Sequence, residues 1–173
     1  MATCTALQNI VKSCDNNIGG ITNVWIYDAE DVTSIVDSAG NITSMTLATG
    51  EEGKTFSIKR NTSNFTEEAA IDLVNGSSFI TQTINLMFHR REAAKSYAIK
   101  ILGEGQRDLV IILKDSNNLY WVFDDMQLSA VGEGSGTAKA DGSKYSVTFV
   151  GEAVEYAWEA SLATLQSFDS VLF

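Results

Sequence analysis

The chain of 173 residues contains no proline, one histidine and two cysteines. Without proline there is no polyproline linker and no proline-set turn, so reversals of direction must come from Gly, Asn and Asp. A lone histidine, His89, cannot build a histidine metal cage, and Cys4 and Cys14 match neither a zinc nor a redox spacing. Free thiols are expected, and neither a metal nor a cofactor is. Long apolar runs are also missing: none approaches the ~20 residues of a membrane helix, and "MATCTALQNIVKSCDNN" lacks the basic region and apolar core of a signal peptide. The expectation is a soluble, cytosolic product with no membrane partner, in which the Asn-x-Ser/Thr triplets at Asn41, Asn61, Asn64 and Asn75 carry no glycan. Positive charge is scarce, 12 Lys and Arg against 22 Asp and Glu, for a net charge of −10. Tight grip on a phosphate backbone needs basic side chains to displace counterions, which disfavours a nucleic-acid reader.

What is present is globular. Hydrophobic residues make up 45% and charged residues 20%, enough for one domain over 1–173 to bury its own core. "ITNVWIYD" (21–28) follows Gly19-Gly20 and is rich in β-branched and aromatic residues, which predicts a strand. "DVTSIVDSAGNITSMTLATG" predicts a hairpin around "DSAGN", and "KTFSIKR" (54–60) a further strand. "DLVIILKDSNNLYWVFDD" reads as a buried strand, a polar turn and an aromatic strand. "KYSVTFVGEAVEYAWEA" alternates with Tyr145, Val147 and Phe149 on one face, then Val154, Tyr156 and Trp158, so a β-bulge is expected at Gly151 where the parity flips.

The longest signal is "NTSNFTEEAAIDLVNGSSFITQTINLMFH". "TEEAA" also suits a helix, but Asn75-Gly76 and the facing arm favour a hairpin with a two-residue type I′ turn. That turn would set Ile71 opposite Ile80, Ala69 opposite Gln82, Glu67 opposite Ile84 and Phe65 opposite Leu86. One face then carries Phe65, Ala69, Ile71, Leu73, Ile80, Ile84, Leu86 and Phe88. The other carries Thr66, Glu68, Ala70, Asp72, Thr81, Thr83 and Asn85, with Val74, Phe79 and Met87 as apolar exceptions. A ribbon this long is unstable alone, so something must cover its apolar face and its edges.

"RREAAKSYAIKILG" predicts a helix with Ala94, Tyr97, Ala98, Ile101 and Leu102 on its buried stripe and Gly103 at its end. Arg90, Arg91, Lys95, Lys100 and Arg107 against Glu92 and Glu104 make a local +3 in an acidic chain, a solvated helix face or a contact for an acidic neighbour. In the tail, "SLATLQSFDSVLF", Leu162, Leu165, Phe168 and Leu172 are spaced like a short helix or an arm that docks on a neighbouring subunit.

Catalytic signatures fail. "AVGEGSGTAKADGSKYS" (130–146) has Gly136, five residues, then Gly142-Ser143-Lys144, the wrong spacing and order for a P-loop, and a strand follows it, so it reads as a hairpin loop. There is no Gly-x-Ser-x-Gly elbow, and "DSNNLYW" lacks the glycine and terminal Glu of a calcium loop. Asp124-Asp125 and Glu67-Glu68, adjacent on strands, point to opposite faces and make poor dyads.

The long amphipathic hairpin followed by a helix resembles the tail tube and tail ring proteins of tailed bacteriophages. The phrases "SCDNNIGGITNVWIYDAEDVTSI", "NTSNFTEEAAIDLVNGSSFITQTINLMFHRREAAK" and "YSVTFVGEAVEYAWEA" are similar to structural proteins of phages infecting Bacteroidetes, crAss-like phages among them. The resemblance implies a mainly β, α+β fold: a tail-tube-like sandwich or barrel with a long hairpin (about 62–88) and one flanking helix (about 90–102). It implies a non-enzymatic protomer made in the host cytoplasm and built into the virion tail, in a six-fold or twelve-fold ring of itself, against other tail or connector proteins. Thr66, Glu68, Asp72, Thr81, Thr83 and Asn85 would line a channel through which DNA passes unbound. Arg90, Arg91, Lys95, Leu165, Phe168 and Phe173 would touch neighbours, as would the arms 1–20 and 161–173. A head–tail connector ring, a tail terminator, and a capsid-decorating or host-binding sandwich are the alternatives; a carbohydrate-active enzyme using dispersed carboxylates is a third class.

Overall fold

The computed structural model describes residues 7–173; Cys4 and the first six positions of the N-terminal arm lie outside the described residues. In chain order the elements are β1 (Ile21–Asp28), β2 (Val32–Ser38), β3 (Asn41–Leu47), β4 (Lys54–Phe56), β5 (Asn64–Asp72), β6 (Ser77–His89), α1 (Ala93–Leu102), β7 (Leu109–Asp115), β8 (Tyr120–Gly134), β9 (Lys144–Ala153), β10 (Trp158–Ala160) and α2 (Leu162–Phe168). The fold is α+β, with strands dominant. Seven strands in the order β2-β3-β10-β8-β7-β1-β4 form a curled half-barrel. A second set, β5-β6-β9, continues from the far half of β8.

β8 belongs to both sheets. Residues 120–126 pair with β7 and β10, and residues 127–134 pair with β9. The strand turns between them, with Asp125 at φ 51° and a register shift between Leu128 and Ala130, as a bulge does when it re-aims a strand. β9 crosses this corner at Gly151, where a Cβ would lie 2.6 Å from Met126 Sδ. Glycine is there for close approach. The expected bulge at Gly151 is absent: β9 pairs with β6 without interruption from Lys144 to Ala153. The chain then leaves the sheet and returns to the half-barrel as β10, which leaves Val154 and Tyr156 exposed.

The half-barrel is covered on both faces, which is why "LVIIL" of β7 is apolar without alternation. Leu109, Ile111 and Leu113, with Val24 and Ile26 of β1, pack against Ile84, Leu86 and Phe88 of β6, Tyr145, Val147 and Phe149 of β9, and α1. Val110 and Ile112, with Trp25 and Tyr27, face the hollow of the half-barrel, which is filled by Leu165 and Phe168 of α2 and walled by Ile42 and Met45 of β3. The tail is a short helix as its spacing predicts, capped by Ser161. Leu165 and Phe168, expected to dock on a neighbour, are instead spent in the chain's own core. Phe173 also packs at home, its ring 4.6 Å from that of Trp25.

Asp169 locks this tail. Buried at 5% exposure, its Oδ2 accepts from the Tyr27 hydroxyl and the Gly53 N–H, both at 3.2 Å, and its Oδ1 from the N–H groups of Val171 and Leu172. Burial first, then the Asp169 charge, pushes the Tyr27 phenol above its ordinary value. Gly53 lies flat on the Tyr27 ring, leaving no room for a Cβ.

The β5–β6 hairpin forms, but in a register two residues from the expected one: Ala69 faces Ile80, Glu67 faces Gln82 and Phe65 faces Ile84. The loop spans four residues, 73–76, because the Asp72 carboxylate accepts from the N–H groups of Val74 and Asn75, with Gly76 closing the turn at φ 67°. The two-residue type I′ geometry belongs instead to Ala39 and Gly40 between β2 and β3, both at positive φ. An even slip keeps every side chain on its face. The glycine-rich stretch is the bend between β8 and β9, where Asp141 Oδ2 accepts from the N–H groups of Thr137 and Ala138.

Candidate functional site

Along β6 burial alternates strictly: Ile80, Gln82, Ile84, Leu86 and Phe88 are buried, with Thr81, Thr83, Asn85 and Met87 between them on the outer face. Thr66 stands opposite Thr83, Glu68 opposite Thr81 and Asn64 opposite Asn85. On the other side of β6, Thr148 faces Asn85, its hydroxyl 2.9 Å from Asn85 Oδ1, and Glu152 faces Thr81. Ala130 and Gly132 of β8 continue the row opposite Thr148 and Ser146. Thr66, Glu68, Thr81, Thr83 and Asn85, proposed from sequence, thus share one face, and β9 adds Ser146, Thr148 and Glu152. Their signal is the polar half of the alternation in "YSVTFVGE", between the buried Tyr145, Val147 and Phe149. Asp72 sits at the end of this face, but hydrogen bonds from Asn75 and Val74 engage its carboxylate in the turn and hold it below the usual carboxylate range.

This sheet has two open edges. Among the described strands β5 pairs only with β6, and residues 127–134 of β8 pair only with β9. At the hairpin tip Ile71, Leu73 and Val74 are exposed at 68–93%, and Leu7, Ile10 and Val11 of the N-terminal arm are exposed too. Open edges and apolar tips are what a chain manages by assembly.

Charge separates along the strands. Where β6 ends, His89, Arg90, Arg91 and Lys95 meet Lys144, the β9 partner of His89. The Arg90 and Arg91 N–H groups are bound to the Ser143 carbonyl and hydroxyl, respectively. The helix expected here forms, but its buried stripe is corrected: Ile99 and Leu102 are inside, and Ala94, Tyr97 and Ala98 are exposed. The buried Tyr145 hydroxyl sets this rotation, 2.6 Å from Ser96 Oγ and bonded to the Glu92 backbone. Arg107 leaves the cluster, since it pairs with Asp28 at 2.8 Å.

At the hairpin-tip end, the mouth between the two sheets is a cleft of about 400 Å³ bordered by Asp37, Asp124, Asp125 and Glu155, with no basic side chain in its lining. Gln82, 2% exposed, is set into its wall. Its amide nitrogen donates to Glu67 Oε1 at 2.9 Å, and that same carboxylate oxygen accepts from the Ala157 N–H. The amide orientation follows, and it leaves Gln82 Oε1 buried without a partner. Among the described residues, no three His, Cys, Asp or Glu converge as a metal cage. Burial, chiefly, raises the Asp124 carboxyl above its ordinary value, with Asp125 and Asp108 adding to the effect. A raised folded value means stability present at low pH that is lost as pH climbs through it. Asp124→Asn, which keeps the acceptor for the Asp125 N–H, should therefore melt higher than wild type at pH 7, the two curves converging below about pH 4.

Comparison with protein-family models, with curated proteins and with solved structures returned no match. The functional reading therefore rests on the sheet itself.

Proposed function

We propose that this chain is the protomer of a homo-oligomeric ring or tube in a phage tail, with the outer face of β5-β6-β9-β8 turned to a channel that DNA crosses. The observation that carries the reading is a four-stranded sheet with both edges open and one face of small polar side chains. All three pairings within it are antiparallel. An even number of alternating strands lets β5 of one copy meet residues 127–134 of the next in the same antiparallel sense, so a ring closes without a mismatch. At ~4.8 Å per strand, six copies give a perimeter of about 115 Å and a bore of about 37 Å before side chains and tilt are counted. Closure would remove both edges, and Thr, Ser, Asn, Ala and Gly keep such a bore clear.

A channel for DNA must not bind it. Glu68 and Glu152 flank Thr81 on the face assigned to the lumen, and their charge repels phosphates. Glu68→Lys with Glu152→Lys should leave assembly intact and convert assembled particles from passing DNA to retaining it. In filter binding at about 50 mM salt, the wild type retains none and the variant does, with retention falling steeply by about 200 mM as counterion release requires. Equal passage by both would remove the lumen assignment. The same surfaces would serve a connector ring or a terminator.

A further inference from the structure

We propose that the acidic cleft at the hairpin-tip end is a receptor for an arginine or lysine side chain from the basic end of a second copy, so that protomers join head to tail along their strands. The inference deepens the ring reading, since it names the surfaces through which one ring would sit on the next.

Two independent observations point to a cationic guest. The first is a lining that includes Asp37, Asp124, Asp125 and Glu155 and no basic residue. The second is Gln82, whose buried Oε1 has no donor although Glu67 holds the rest of its amide in place. An orphaned buried acceptor is costly. A guanidinium or ammonium brings N–H donors and a charge opposite to that of the carboxylates. Exposed Tyr156 and half-exposed Trp158 at the cleft add aromatic faces on which a cation can rest.

The guest is identified by complementarity within the chain. Arg90 and Lys144 lie at the His89 end of β6, seven residues from Gln82, about 23 Å along the strand, and both are exposed. The Arg90 guanidinium makes a solvent-exposed pair with Glu92 at 3.6 Å, which is weak and readily exchanged. The carboxylates come from β2, the corner of β8 and the segment after β9. The opposite charges thus lie towards opposite ends of the β6–β9 ladder, the arrangement in which copies add end on and the contact is heterologous.

The test is a charge exchange read by sedimentation velocity at low salt. Asp37→Lys with Glu155→Lys alters two exposed rim carboxylates and cancels the charge of the acidic end; Arg90→Glu with Lys144→Glu cancels that of the basic end. Each variant alone should associate end to end at least about tenfold more weakly than wild type. An equimolar mixture of the two should recover association, a result that misfolding cannot produce, and salt should weaken it. Wild-type association by either variant alone, or a mixture that stays apart while both proteins melt normally, would overturn the proposal. Negative-stain images separate it from the ring reading: rings whose stacking ignores these charges sink the receptor alone, and charge-dependent association without rings sinks the ring alone while supporting the receptor.

Discussion

Asp169→Ala should cost about 3 kcal/mol of unfolding free energy, the largest loss expected from any single polar side chain here. The substitution strands the Tyr27 hydroxyl and the N–H groups of Gly53, Val171 and Leu172. These donors lie where water enters poorly, since Asp169, Tyr27 and the adjoining Phe168 are all nearly inaccessible. Asp169→Asn keeps the shape and acceptor oxygen and should lose roughly half as much. Urea unfolding measures both, and an Asp169→Ala protein as stable as wild type would show that the carboxylate does not lock the tail. Tyr27 supplies the pH signature. Its folded value lies above its ordinary one, so the folded chain keeps a proton that the unfolded chain releases above about pH 10. Stability should fall with rising pH beyond that point, and Tyr27→Phe should remove that slope.

The second large effect is on assembly. Ala69 and Ala70 are both exposed on β5, and successive residues of a strand send their N–H groups to opposite edges. Of Ala69→Pro and Ala70→Pro, one therefore breaks the ladder to β6 and the other touches only the open edge. The edge-directed proline should melt close to wild type and form no rings, because the incoming strand loses its hydrogen-bonding partner. Its neighbour should lose thermal stability. Should both variants assemble normally, β5 is not the joining edge.

Local patterns carried far in this chain. Apart from β7, an unbroken apolar run, and β10, the strands, the β8–β9 bend and the two faces of the long hairpin follow from period-two alternation and turn residues. The hairpin's register did not, because the Asp72 carboxylate organises a four-residue loop that Asn75-Gly76 alone does not announce. The faces survived the slip because it was even. The rotation of α1 was hidden for a different reason: Tyr145, some fifty residues away, fixes the helix start through Ser96 and Glu92. Leu165 and Phe168 announced a helix with something to bury against, but the hollow that receives them exists only once β10 has brought β3 beside β8. The acidic cleft was least legible, since its carboxylates come from segments as far apart as Asp37 and Glu155.

The proposed ring closes the four-stranded sheet on copies of itself with its polar face inward. Purified protein at high concentration, imaged in negative stain and weighed by sedimentation, should give closed rings or tubes in which Thr66 and Thr83 face the bore. A stable monomer under the same conditions, with no rings or tubes in the images, would contradict it.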